Sequence, residues 1–147
     1  MRVVAAPDKF RGTGSAQQVA DAIEGAVSSL GGGTDKVPMA DGGEGTLDVL
    51  GGPNRSSIVT GPLGEPVEAQ WRLDGSTAVI EMARASGLEL AGGQVGNSPL
   101  DATTAGTGEL ILAAVEKGAR RVVIGLGGSA TTDGGLGALR AMGLPAR

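Results

Sequence analysis

The chain contains no cysteine and no histidine. The first absence removes disulfides, thiolate nucleophiles and zinc-thiolate centres; the second removes the commonest metal ligand and the commonest general base. Any proton transfer must therefore fall to a carboxylate or a lysine. Tyrosine is missing too, and the aromatic residues are reduced to Phe10 and Trp71. Apolar runs are short, Ala78-Val79-Ile80 among them, and Met1 to Pro7 enters a strand-like run without a signal peptide's long apolar stretch. A cytoplasmic protein with no membrane partner is the expectation. Positive charge is in deficit, 12 Lys and Arg against 16 Asp and Glu for a net charge of −4, which disfavours nucleic acid as a partner. No G-x-x-x-x-G-K-[ST] occurs, so an ordinary P-loop nucleotide site is excluded. What is abundant is glycine, 28 of 147 residues. The glycines cluster between periodic apolar segments, the pattern of many tight turns in a folded α/β protein rather than of low complexity.

Arg2 to Ala6 reads as a buried strand stopped by Pro7. Ser15 with Gln18 three residues later makes a capping box, and Val19, Ile23, Val27 and Leu30 recur on one helical face until Gly31. Lys36 to Met39 is a short strand candidate weakened by Pro38, and Glu44 to Leu50 a weak helix. Three strand-like runs follow, Ser57 to Thr60, Pro66 to Leu73 and Thr77 to Met82, separated by turns at Gly61 to Gly64 and Asp74-Gly75; they read as an antiparallel meander. A helix ending near Lys117-Gly118 carries Leu110, Ile111, Ala114 and Val115 on one face. Arg121 to Gly125 is the best strand in the chain, and a last helix carries Leu136, Leu139 and Met142. The expected fold is a Rossmann-like, doubly wound α/β core with a β-rich second lobe, reading as truncated. Residues 1–53 would open the α/β domain, 54–100 form the β-rich lobe or insertion, and 101–147 supply an α/β segment with a Gly-rich loop.

Three loops carry candidate chemistry. Pro7 to Ser15 brings Asp8, Lys9, Arg11, Gly12 and Ser15 to a helix entrance, which suits phosphate or carboxylate as well as it suits an ordinary capped turn. Asp41-Gly42-Gly43-Glu44-Gly45 sets carboxylates among glycines: Asp41 could accept a hydroxyl proton or hold Mg²⁺, and Asp-Gly-Gly is also a common turn. Gly125 to Gly135 follows a strand and opens a helix. It matches G-x-G-x-x-A, but only 17 residues remain after Ala130 and none beyond Asp133 is acidic, against the dinucleotide reading. An anion cradle of Gly127, Gly128 and Ser129 amides fits better, with Asp133 facing the same crevice or capping the helix. Thr103 to Glu109 is a hydroxyl-rich helix entrance with capping by Thr104 or Thr107. Glu81 interrupts an apolar strand, either as a buried carboxylate or as the outward residue of an alternating strand.

Taken together, Ala6 to Thr13, Ala40 to Thr46, Thr60 to Val67, Ile80 to Ala83, Ala85 to Leu88 and Gly127 to Gly135 resemble, in order, segments of the bacterial glycerate kinase type 1 family. The resemblance implies ATP and Mg²⁺ as cofactors, D-glycerate as substrate and a phosphoglycerate as product, on two α/β domains with the site between them. It implies catalytic roles for Asp41, Asp133 and Arg11, with Asp41 and Asp133 as the Mg²⁺ candidates. Asp8, Lys9, Gly12, Ser15, Gly127, Gly128 and Ser129 would bind substrate or phosphate. Arg11 stands where many members have Lys, Thr132 where Asn is expected, and members run to more than twice this length. Two other readings stand beside it: an incomplete fragment or relic that binds a small anion or partner subunit, and a kinase for another small hydroxy acid. Self-association through an exposed strand edge is expected of the isolated chain.

Overall fold

Ser15 and Gln18 form the reciprocal cap that starts the first helix: the Gln18 amide donates to Ser15 Oγ at 3.2 Å, and the Ser15 amide to Gln18 Oε1 at 2.8 Å. The computed structural model describes residues 1–10 and 12–145. It divides into two compact units, Met1–Asp41 and Gly42–Arg147. In the first, β1 (Arg2–Ala5) is followed by α1 (Ala16–Ser29) and by β2 (Gly33–Lys36), which pairs with β1 in parallel, Arg2 opposite Gly33 and Ala5 opposite Lys36. The helix closes on a left-handed Gly31 at φ +72°, with the Gly31 amide on the Ser28 carbonyl and the Gly32 amide on that of Val27. Its buried residues are Ala16, Ala20 and Val27, while Leu30, expected on the core face, is 78% exposed. Leu30 is the C-cap, where the chain leaves helical geometry and the periodicity ends. The second strand lies earlier than the expected Lys36 to Met39. Pro38 has no N–H to give, although the Val37 and Met39 amides still reach the Ala5 and Pro7 carbonyls, each at 2.8 Å.

The second unit opens with α2 (Thr46–Val49) and runs through the meander β3 (Arg55–Thr60), β4 (Pro66–Asp74) and β5 (Thr77–Glu81). Two short helices, α3 (Ala83–Ser86) and α4 (Gly93–Gly96), lead to α5 (Ala105–Glu116), β6 (Arg121–Gly125) and α6 (Leu136–Ala141). The sheet order is β3-β4-β5-β6, antiparallel except for the last pair, which α5 connects in parallel. The stretch expected as a β-rich lobe thus shares one sheet, and one compact unit, with the α/β segment that follows it. The fold is mixed α/β.

The core of this unit gathers Val59, Ala69, Trp71, Ala78, Ile80, Ala85, Leu110 and Ala114. α5 lies so close to β3 that a Cβ on Gly106 would run into the Thr60 carbonyl. Glu109 fastens the same contact, accepting from the Thr60 amide and hydroxyl at 2.7 Å each. Trp71, 1% exposed, fills the middle, and its indole N–H donates to Ser57 Oγ at 3.1 Å. Trp71→Ala should cost about 3–5 kcal/mol of stability, from lost transfer energy and the cavity left behind. Urea unfolding followed by circular dichroism checks this, and a loss below about 1 kcal/mol would show that the core does not rest on this ring.

Candidate active-site loops

In the first unit, the loop after β1 folds back on itself. Asp8 Oδ1 accepts the Lys9 amide at 2.7 Å, and the Thr13 and Gly14 amides donate to the Phe10 carbonyl at 2.9 and 3.0 Å. Gly12 takes the left-handed conformation at φ +72° that this turn needs. Two residues singled out by sequence come together here: Lys9 Nζ lies 3.8 Å from Asp41 Oδ1, the lysine side chain 16% exposed and the aspartate 60%. Ser15 spends its hydroxyl on the helix cap. Arg11 lies outside the described residues.

In the second unit, two glycine-rich loops meet. The Gly127 amide donates to the Gly42 carbonyl at 2.8 Å. A Cβ on Gly125 would come within 2.6 Å of that same carbonyl oxygen, and one on Gly127 would run into Gly43 Cα. The loop then pairs with the chain after α3: the Leu88 amide donates to the Gly128 carbonyl at 2.8 Å and the Ala130 amide to that of Ser86 at 3.0 Å. Of the three amides expected in the cradle, that of Gly127 is thus engaged within the fold. The Gly128 and Ser129 amides, on exposed residues, donate to no acceptor among the described residues and stay available to an anion.

Asp133 differs in kind from Asp41. Its Oδ2 accepts from the Thr104 amide at 2.9 Å, the Thr104 hydroxyl at 2.8 Å and the Gly137 amide at 3.1 Å. Its Oδ1 accepts from the Gly135 amide at 3.0 Å and the Thr131 hydroxyl at 3.1 Å. The entrance of α6 is a left-handed Gly135 at φ +86° with no side chain to offer, so Asp133 supplies the missing cap. Thr104, the N-cap of α5, turns its hydroxyl to Asp133 and accepts the Ala138 amide at 2.9 Å, which ties the two helices together. Burial works against ionisation of Asp133, but the Thr104 amide and hydroxyl and the Gly135 and Gly137 amides outweigh it and bring the pKa down to about 2.

Whether Mg²⁺ suits these residues follows from the donors. No cluster of three or more acidic side chains occurs among the described residues, and Mg²⁺ commonly takes one or two carboxylates with water and substrate phosphates. The exposed Asp41 fits such a ligand. Asp133 does not, because both its oxygens are already occupied by protein donors. Sequence reasoning proposed Asp133 for base or metal because Asp-Gly-Gly reads alike in either role. The Gly135 and Gly137 amides follow the other reading, capping of the next helix, while the Thr104 donors stand 29 residues away.

Fold and loops define a mixed α/β chain whose glycine-rich turns gather beside the carboxyl end of a parallel strand pair. The chain belongs to the glycerate kinase family, whose model matches residues 3–146. It is 52% identical to a glycerate kinase of Bacillus subtilis (strain 168) and 49% identical to a glycerate 2-kinase of Escherichia coli (strain K12), in each case over 97% of this chain and 39% of the relative. A crystal structure from Salmonella typhimurium LT2, of a protein named there as glycerate kinase 2, superposes with a TM-score of 0.79 at 43% identity, covering 96% of this chain and 40% of that one. The chain thus spans about 40% of the length of the relatives it matches.

Two outcomes are expected. Gly127→Ala must displace backbone, not a flexible side chain, and should loosen the loop contact and lower stability by roughly 1–3 kcal/mol; a melting temperature equal to the parent's would refute the close approach. Asp133→Asn leaves one oxygen and turns an NH₂ group toward N–H donors, costing about 1–3 kcal/mol at neutral pH. Because the folded pKa lies below the unfolded value of about 3.9, the stabilisation from Asp133 is complete above that value and is lost as pH falls toward the folded pKa. Urea midpoints of parent and variant should therefore converge between about pH 4 and pH 2, and curves that stay parallel would show that Asp133 does not carry this pH dependence.

Proposed function

We propose that this chain supplies loops of an ATP-dependent glycerate kinase that phosphorylates a hydroxyl of D-glycerate, on a doubly wound core of the Rossmann type. The observation that carries the reading is the pairing of the largely buried Lys9 ammonium with the exposed Asp41 carboxylate at 3.8 Å, on loops that the family resemblance had already singled out. Lys9 is a point charge suited to a carboxylate or phosphate oxygen. Asp41, open to solvent, can accept the proton of the attacking hydroxyl or serve as a metal ligand. Mg²⁺, when bound, would neutralise phosphate charge. The Gly128 and Ser129 amides offer donors to an anionic group.

The transfer fits a direct in-line displacement in which the substrate oxygen forms its bond to the γ-phosphorus as the bond to the ADP oxygen breaks, and the hydroxyl proton passes to a carboxylate. Positioning and charge neutralisation then supply most of the rate, and no covalent phosphoenzyme is required. Asp133 enters this account as the residue that shapes the Gly-rich loop rather than as base or metal ligand, because its oxygens already receive five protein donors.

ADP release on a protein carrying this sequence at the family's length, with D-glycerate, lactate and tartrate compared, tests the reading. Glycerate should be preferred, Asp41→Asn should lower kcat roughly tenfold or more with the fold intact, and Lys9→Ala should chiefly raise a Michaelis constant. An Asp41→Asn variant with parental kinetics would remove Asp41 from the mechanism, and absence of any hydroxy-acid-dependent ADP release would remove the kinase reading.

A further inference from the structure

Among the described residues Glu81 is the buried acidic side chain, 1% exposed, and the roles proposed above leave it unused. A carboxylate in that position is costly unless donors meet it, and an apolar residue would serve the strand more cheaply. One hydrogen bond and one ion pair meet it. Oε2 accepts the Leu47 amide at 3.0 Å, and Oε1 lies 3.7 Å from Arg84 Nε, a buried N–H with no hydrogen-bond partner of its own. The rest of the Arg84 guanidinium reaches Gln70 Oε1 at 2.9 Å and Asp48 Oδ2 at 3.4 Å. Residues 47 and 48 of α2 are thus gripped together, one through its amide by Glu81 and the other through its carboxylate by the arginine that Glu81 attracts.

α2 needs that grip. Its N-cap is Gly45 at φ +91°, which has no side chain to cap with, and only four residues follow. The turn before it, Gly42 to Gly45, holds the Gly42 carbonyl that receives the Gly127 amide. Glu81 stands opposite Gly125 in the β5–β6 register, so its backbone belongs to the same rigid strand end as the Gly-rich loop. We propose that Glu81 is the positioning residue of the Gly42–Thr46 turn, referencing it through the Leu47 amide to the carboxyl end of the parallel strands. Its consequence for catalysis, though not its structural part, rests on the kinase reading, since the turn carries Glu44 and follows directly on Asp41.

Reach and charge can be separated. Glu81→Gln keeps the length and an oxygen for the Leu47 amide; Glu81→Asp keeps the charge but is one methylene shorter, which withdraws the carboxylate. By hydrogen–deuterium exchange the Leu47 amide should open roughly tenfold faster in E81D and within about threefold of the parent in E81Q, with the β5–β6 ladder unchanged in both. In the family-length protein E81D should lower kcat roughly tenfold at an unaltered Michaelis constant for D-glycerate, and E81Q should retain most of the parent's rate. Equal Leu47 exchange in all three proteins would overturn the proposal. So would loss of protection spread evenly over the whole sheet in E81D, or an E81Q variant as impaired as E81D. A parent protein without ADP release whose Leu47 amide still responds to E81D sinks the kinase reading and upholds the positioning role.

Discussion

The parallel pairing of β5 with β6 is the constraint from which the second unit follows. It sets Glu81 opposite Gly125 and ends both strands at one level, where the Met82 amide still reaches the Gly125 carbonyl at 3.0 Å. A parallel pair requires a crossover, and α5 provides it, seated on the meander through Gly106 and Glu109. Because residue 125 has no side chain, the Gly42 carbonyl occupies the space above the strand end, and the Gly127 amide meets it. Loops 83 residues apart in sequence are thereby brought into backbone contact, from position 42 to position 125, which side chains at these positions would prevent.

Such closeness costs local capping. Both helices that leave the glycine turns, α2 and α6, begin at left-handed glycines that have no side-chain oxygen, so their first amides need acceptors from elsewhere. Glu81 serves the first and Asp133 the second. Glycine, chosen for backbone approach, and carboxylate, placed to recover the lost cap, are two halves of one arrangement. This explains why acidic residues in this chain keep company with glycine without all of them being chemical groups.

Local chemistry was readable in advance and long-range chemistry was not. The Ser15–Gln18 box, the meander with its turns, and the strand from Arg121 depend on neighbours within a few positions, and each stands where the pattern puts it. β2 was misplaced because Val37 and Met39 look more strand-like than Gly33 to Lys36, whereas the ladder to β1 fixes the start of pairing. Glu81 stayed ambiguous because alternation predicts an outward residue at that position, but β5 is covered on both faces and buries residues 78 to 81 in succession. The saturation of Asp133 depends on Thr104, and the loss of the Gly127 amide to the fold depends on Gly42; no spacing within either motif records these partners. The family resemblance, by contrast, rests on the order of several motifs and survives the misassignment of single residues within them, as the match over residues 3–146 confirms.

Three of the carboxylates singled out by sequence, Asp133, Glu81 and Asp41, differ in their surroundings. A general base works best when its pKa lies near the working pH, because it must bind a proton in the transition state and be free of one before it. Asp133, at a pKa of about 2, is far from that condition at neutral pH, and protonating it would also set the proton against the N–H donors that hold α5 and α6. Glu81 is sealed from solvent, with one oxygen on the Leu47 amide and the other facing Arg84, so neither a substrate hydroxyl nor a hydrated metal ion can approach it without dismantling the entrance of α2. Asp41 keeps 60% of its side chain exposed, with the Lys9 ammonium 3.8 Å from Oδ1. Asp133 and Glu81 thus serve stability through the protein donors they hold, whereas the Asp41 side chain is 60% exposed and lies beside Lys9.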